Sequence, residues 1–356
     1  MTLAPATLSD LSRQLAAAHA ARLPITSVDL AALAAVREHT PEDMTITVEA
    51  GMSLAALQAL LATHRQWLPI DPPHPGRLTI RELLSENLFG PRRCGFGTIR
   101  EHLIGLEAVL ADGRITHSGG KVVKNVAGYD LLKLFVGARD SLGIITAASF
   151  KLRPLPEQEI LLSAQFPTLD AAWAAIEAIL QSPITPVILD LHNLSQTGSA
   201  SGTFTVELGL AGTREEVEWQ RLRAGDSSLS LHPMRGEGRG DGFPSAPQNP
   251  QQSFWSVATP PQTLSVLPSQ LPAAIASLGQ APFIAHAANG ILHHRALPRG
   301  GDLQSPSLAP NTPDGECDSP ARSATALPCP VAPPSTLAQR LKATFDPHHI
   351  LPVAPR

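Results

Sequence analysis

Apolar and polar positions follow two different periods along the first 155 residues. Over residues 8–22 leucines and alanines recur every three or four positions, which predicts a helix with one apolar face. Residues 44–50 (MTITVEA) alternate strictly and are rich in β-branched side chains, which predicts a strand, and Gly51 ends it. Ser53 is placed to cap a helix over residues 54–64. Residues 69–76 (PIDPPHPG) hold too many prolines for a helix or a central strand, so a rigid loop is expected. A short helix over 78–88 and a glycine- and arginine-rich loop over 90–97 follow. Apolar runs at 103–110 and 114–117 flank Asp112-Gly113, a hairpin turn pair. Residues 130–136 read as a helix capped by Asp130, and 142–153 as a long strand.

The texture changes after Pro154-Leu155-Pro156. Strand patterns at 161–166, 187–191 and 203–210 and helix patterns at 169–180 and 214–223 form an α+β succession of their own. A domain boundary near residue 155 is therefore expected. Residues 236–252 and 297–335 are rich in Pro, Gly, Ser and Asp and read as disordered loops. A last helix over 336–345 precedes Asp346-Pro347.

Composition narrows the function classes. A chain of 356 residues can carry two cored domains. A net charge of −4 and a pI near 6.3 give no electrostatic footprint for nucleic acid. Cys94, Cys317 and Cys329 are far apart and form no CxxC pair, which argues against a disulfide framework, a zinc ribbon or a self-contained iron–sulfur site and points to a reducing, cytoplasmic setting. The start lacks a basic region and has Asp10 and Arg13 among its apolar residues, so no signal peptide is expected. No apolar run reaches the roughly 18 residues that span a bilayer. There is no GxxxxGK[ST] phosphate loop and no GxSxG elbow, and Gly95-Phe96-Gly97 lacks the third glycine of a dinucleotide fingerprint.

The richest stretch is residues 119–146, GGKVVKNVAGYDLLKLFVGARDSLGIIT. It holds five glycines, the chain's only tyrosine (Tyr129) and three of its five lysines (Lys121, Lys124 and Lys133). Compact ammonium groups among glycines suit a loop shaped around an anionic ligand. This stretch resembles the flavin-loop signature of the PCMH-type FAD-linked oxidases, and within them it is most similar to the FAD-binding subunits of bacterial glycolate oxidase complexes. Residues 45–73, LSENLFGPRR and the closing LKATFDPHHILP resemble the same family in its strand–helix–proline loop, its next flavin loop and its terminal helix.

The resemblance implies a fold and a chemistry. The fold class is α+β: a PCMH-type (vanillyl-alcohol-oxidase-like) FAD-binding domain of two subdomains over residues 1–155, an α+β cap with an antiparallel sheet over 156–296, and a C-terminal helix and tail over 336–356 returning to the core. The cofactor is FAD, and the reaction moves a hydride from the α-carbon of a small 2-hydroxy acid to the flavin. The implied partners are a larger flavoprotein subunit and an iron–sulfur subunit of a glycolate oxidase complex, with attachment to the inner membrane through those partners. Implied cofactor contacts are Pro72 and Pro73, Thr79 and Ile80, Asn87, Gly90 and Pro91, Gly128, Tyr129 and Asp130, and Gly143, Ile144 and Ile145. No catalytic base is legible. His74 reads as a surface residue of its loop.

Three departures accompany the resemblance. Residues 23–30 run through without a glycine where the family has the loop whose amides hold the FAD pyrophosphate. Arg81-Glu82 replaces two glycines of a second contact. The chain ends LPVAPR instead of continuing in the family's N-P-G-K style. Each charge-assisted amide bond lost is worth roughly 1.5–3 kcal/mol, so Arg81, Arg92 and Arg93 are the groups expected to reach the phosphates instead. A flavin-free subunit that keeps the fold for assembly, or a stand-alone flavoprotein acting on another substrate, stays open. His286 and His293 have the spacing of paired metal ligands in related dehydrogenases, but no third-ligand motif follows, so no metal is assigned. The alternative reading is a strand–turn–strand with His286 packed and His293-His294 exposed.

Overall fold

The computed structural model describes residues 1–120, 132–195, 197, 199–226, 232–233, 254–255, 261–295 and 337–352. Gly128, Tyr129 and Asp130, and the expected loops over 236–252 and 297–335, lie outside the described residues.

Two antiparallel sheets organise the chain. The first has five strands in the order Val36–Thr40, Thr45–Glu49, Ile144–Lys151, Leu103–Val109 and Ile115–Gly119. Ile144–Lys151 and Leu103–Val109 are buried along nearly their whole length because both faces are covered, whereas Thr45–Glu49 alternates. The helix Leu8–Ala21 and the short helix Ile80–Ser85 contribute to that cover. The second sheet has seven strands in the order His232–Pro233, Gln158–Phe166, Ala200–Gly212, Ile188–Leu194, Phe283–His286, Ile291–His294 and Gln262–Ser265. Helices Leu169–Gln181 and Arg214–Asp226 pack against its Gln158–Phe166 and Ala200–Gly212 strands.

Each sheet has its own apolar core. One gathers residues between Leu3 and Leu152 and adds Ile350 and Leu351 from the end of the chain. The other runs from Leu162 to Leu292. Local chemistry accounts for the helix starts. The Thr7 side chain accepts from Asp10 N, Ser53 from Ala56 N and Thr168 from Ala171 N. Thr79 and Glu82 form a reciprocal capping box. The Asp112-Gly113 hairpin joins its two strands in antiparallel register, with Gly113 at φ 85°.

The residues after the first helix pair with the two ends of the chain. Ser27–Val28 lies parallel to Thr2–Leu3, Thr26 N donates to Met1 O at 2.9 Å, and Ile25 N donates to Ile350 O at 2.7 Å. The tail is fixed by Asp346, which is fully buried. It accepts from Ile350 N at 3.0 Å, Leu351 N at 2.9 Å and Lys342 Nζ at 2.7 Å.

Two local expectations are corrected. The loop over 90–97 contains a helical turn, Arg93–Phe96, because Phe96 and Gly97 amides turn back onto the Arg92 and Arg93 carbonyls. His293 and His294 are buried at 6% and 5% exposure, because their strand is covered between Gln262–Ser265 and Phe283–His286 within the second sheet. The strand–turn–strand around them is present, with Gly290 at φ 66° in the turn.

Candidate functional site

Loops of the first sheet's half meet one end of the second sheet. The proline loop brings Asp71, and the segment after Ile80–Ser85 brings Phe89, Gly90, Arg92, Arg93 and Cys94. Gly90 permits the close approach of these two loops, since a Cβ there would sit 2.0 Å from the Asp71 carbonyl oxygen. Arg92 ties the assembly together. Its guanidinium grips Glu159 with Nε and Nη2, both at 2.9 Å, and meets Asp71 at 3.2 Å, while its amide donates to Asp71 Oδ1 at 3.1 Å. Gly95 N donates to Val187 O at 3.3 Å, and His74 Nε2 pairs with Trp255 O at 3.3 Å.

Facing these loops are Asp190, His286 and His293. His286 Nδ1 meets Asp190 Oδ1 at 2.7 Å, with both side chains buried. His293 Nδ1 meets Thr263 Oγ1 at 2.9 Å. The two imidazole centroids are 5.3 Å apart, and Phe89 lies 6.2 Å from one and 6.1 Å from the other. Trp255 closes the group at 4.9 Å from His293.

The two imidazoles are pushed in opposite directions from their ordinary value. Burial disfavours the His286 cation, but Asp190, with Asp71 behind it, outweighs burial and raises this imidazole above its ordinary value. Burial, then the neighbouring His286 and His294, pushes His293 down to about 3. Burial likewise raises Asp71 despite Arg92. Cys94 is a half-buried thiol pushed up to about 11 by burial and by Asp190, so it is not poised as a nucleophile.

These shifts give a prediction with a defined sign. Unfolded His293 takes up a proton below its ordinary 6.5, whereas the folded residue does so only near about 3. Stability is therefore lost as pH falls from 6.5, by about 2 kcal/mol on reaching about pH 5. His286, raised when folded, loses its stabilisation only as pH climbs above 6.5. The His293→Leu variant should lack the acid-side slope and keep the alkaline one. Urea titrations at a series of pH values test this, and an unchanged acid-side slope would refute it.

The expected cofactor contacts fall in different surroundings. Pro72 is buried and Pro73 half-buried in the proline loop beside Asp71. Thr79 and Ile80 form a helix start. Thr79 N donates to Glu82 Oε2 at 3.0 Å, Ile80 N to Met52 O at 2.9 Å and Arg81 N to Ala50 O at 2.8 Å. Asn87 sits at φ 54° near Gly137, and Gly90 and Pro91 lead into Arg92. Gly143 abuts the Val109 carbonyl and Phe135, where a Cβ would come within 3.0 and 3.2 Å of them. Ile144 and Ile145 are core residues paired with Val109 and Ala108, and the ladder to Thr45–Glu49 stops at Ala147.

The donors that would hold a pyrophosphate are in use at both places the resemblance implies. At 23–33 the amides of Leu23, Ile25, Thr26, Asp29 and Leu33 bond main-chain carbonyls, and Ala31 N bonds the Asp29 side chain. At 79–81 the helix-start amides bond Glu82, Met52 and Ala50. The expected arginine replacements are corrected for two of three residues. Arg81 is ion-paired to Asp140, and Arg92 to Asp71 and Glu159. Arg93 stays free of an ion pair among the described residues. The described residues therefore do not fit a pyrophosphate held in an amide nest at these positions. No group of three or more His, Cys, Asp or Glu able to hold a metal occurs among the described residues.

Asp71, Glu159 and Asp190 were not singled out from sequence. A single acid within an apolar strand, as in VILDLH, is the signal that marks Asp190.

A family described as "FAD binding domain" matches residues 15–119. The chain is 33% identical over 207 residues to glycolate oxidase subunit GlcE of Escherichia coli (strain K12), covering 56% of this chain and 59% of that protein. It is 38% identical over 155 residues to glycolate oxidase subunit GlcD of Bacillus subtilis (strain 168), covering 44% and 33%. It is 39% identical over 121 residues to D-lactate dehydrogenase of Archaeoglobus fulgidus, covering 33% and 27%. The chain thus spans between about a quarter and three fifths of these relatives' length. A solved structure of alkyldihydroxyacetonephosphate synthase shares the fold at a TM-score of 0.66 and 15% identity, covering 98% of this chain and 76% of that one. Residues 15–119 are thus similar to the FAD binding domain family, and the chain shares the fold of the alkyldihydroxyacetonephosphate synthase structure.

Proposed function

We propose that this chain is a subunit of an FAD-linked oxidoreductase of the glycolate oxidase and D-lactate dehydrogenase type, working on a small 2-hydroxy acid beside a larger flavoprotein subunit and an iron–sulfur subunit. The observation that carries the reading is the junction of the two sheets. There the proline loop and residues 87–94 of the FAD-domain half meet a charged and aromatic group on the other half. The flavin would supply the redox chemistry. The chain's own residues hold the two halves in register through Arg92, shelter the junction with Phe89 and Trp255, and push the two imidazoles in opposite directions, His286 up and His293 down. The signature at 119–146 and the similarity to both glycolate oxidase subunits support the same reading. No helix among the described residues is long and apolar enough to cross a membrane, and attachment through partners is part of the proposal.

A second reading has its own observation. The amides at 23–33 and 79–81 are bonded within the protein, which favours a subunit that keeps the fold for assembly and holds no flavin itself. The visible spectrum of the purified chain, alone and co-expressed with its partners, separates the two. Flavin bands in the lone chain support the oxidoreductase subunit. A colourless chain that still co-purifies with a yellow partner supports the assembly role and sinks the first reading.

A further inference from the structure

The helix Arg214–Asp226 has two faces of different character. Val217 and Ala224 are fully buried in the core of the second sheet, and Gln220 beside them accepts from Thr185 N at 2.9 Å. The opposite face carries Trp219 and Leu222, which stay 46% and 54% exposed. Trp219 is the only exposed tryptophan among the described residues. The Arg223 guanidinium stands 5.6 Å from its ring centroid, so cation and indole form one patch.

The charges around this pair follow an order. At about 100° per residue, Glu216 and Arg223 line one flank of the Trp219–Leu222 stripe, and Glu218 and Arg221 line the other. On each flank of this central stretch the acid comes first and the base follows. Arg214 and Glu215 lie outside it, at the helix start. Glu218 accepts from Arg221 Nε and Nη2 at 2.8 and 2.6 Å, and Glu216 Oε2 accepts from Thr213 N at 2.9 Å. These hydrogen bonds hold both carboxyls below their ordinary value.

Two such helices that meet antiparallel about a twofold axis set each flank against the same flank of the other copy, running in reverse. Glu216 then meets Arg223 of the second copy, and Glu218 meets Arg221, while Trp219 and Leu222 pack across the axis. A parallel pair would set acid against acid and base against base. The pattern is self-complementary in one orientation, which is what an isologous contact requires.

We propose that the helix Arg214–Asp226 is a contact between two copies of this chain, packed antiparallel through Trp219 and Leu222 with the register set by the Glu216–Arg223 and Glu218–Arg221 pairs between copies. One helix face about 20 Å long makes a small interface, so the dimer is weak and transient. The helix covers the face of the second sheet that Leu189 and Leu191 line, whereas Asp190 points to the other face. Association therefore leaves the junction of the two sheets open, and it stands apart from the proposed chemistry there.

Sedimentation velocity of the full chain over a concentration series tests this. Wild type should show a reversible monomer–dimer equilibrium that weakens with added salt. Trp219→Ala should weaken it at least tenfold with unchanged circular dichroism, since the side chain is exposed in the monomer. Glu218→Arg and Arg221→Glu should each weaken it at least tenfold, because each sets like charges across the contact twice. An equal mixture of these two variants should dimerise again, since each supplies the charge the other lacks. Within each variant helix positions 218 and 221 remain alike in charge, so recovery in the mixture cannot come from a repaired helix. A wild type that stays monomeric up to about 1 mM would overturn the contact. So would a dimer indifferent to Trp219→Ala, or a mixture no tighter than its components.

Discussion

Replacing Asp346 by alanine is expected to destabilise the protein by roughly 3–5 kcal/mol, the range for breaking a buried pair from one side. Asp346 is fully buried and serves three donors at once: the amides of Ile350 and Leu351 and the Lys342 ammonium. Alanine would strand the two amides and leave the ammonium without its counter-charge. Lys342 retains carbonyl acceptors at Ser141 and Leu351, 3.1 and 3.0 Å away, so its charge would be bonded but no longer balanced. The effect should spread, because Ile350 O is the acceptor for Ile25 N, and the 23–30 segment lies against the chain's start through Thr26 and Ser27–Val28. Asp346→Asn keeps an acceptor and loses the charge, so its loss should be smaller. Urea midpoints of wild type and both variants decide the matter. A drop below about 1 kcal/mol for alanine would match an ordinary surface substitution and show that the tail is not clamped by this residue.

Arg92→Met should cost a similar roughly 3–5 kcal/mol, since it leaves Asp71 and Glu159 facing each other without their cation. The deficit should depend on pH. Burial already raises folded Asp71 above its ordinary 3.8, and losing the cation raises it further. A raised carboxyl stabilises the fold below its unfolded value, and that contribution is lost as pH rises through the folded value. The penalty for Arg92→Met should therefore be smallest near pH 4 and grow toward neutrality. Adding Glu159→Gln should recover part of it, because one of the two stranded charges is then gone. A pH-independent penalty, or none, would be incompatible with this network. Proteolysis of the variant gives an independent reading, with faster cutting expected near residues 153–157, where the two halves join.

The local elements were legible from sequence because their causes are local. Thr7, Ser53 and Thr168 cap helices where an oxygen stands before an apolar period, and Asp112-Gly113 turns a hairpin by its own backbone preferences. The antiparallel α+β architecture and the kinship to FAD-linked oxidoreductases were legible for a related reason. A phrase such as NVAGYD carries several residue constraints in a row. The absence of glycines at 23–30 was also plain in the sequence.

Tertiary structure decided what those residues do instead. The amides at 25 and 26 are used up because Ile350 and Met1, far away in the chain, supply carbonyls there. Arg81 and Arg92 looked available to phosphates, since a sequence lists charges without their counter-ions. Folding brings Asp140, Asp71 and Glu159 to them. His293 and His294 read as exposed because polar residues near a turn usually are, but pairing on both sides of their strand buries them. The Asp190–His286 pair joins residues 96 positions apart, and no local period encodes such a contact. Sequence determined the kind of domain this chain carries, because that depends on short-range pattern. Which charges remain free to meet a ligand depends on distance in space, and only the fold sets that.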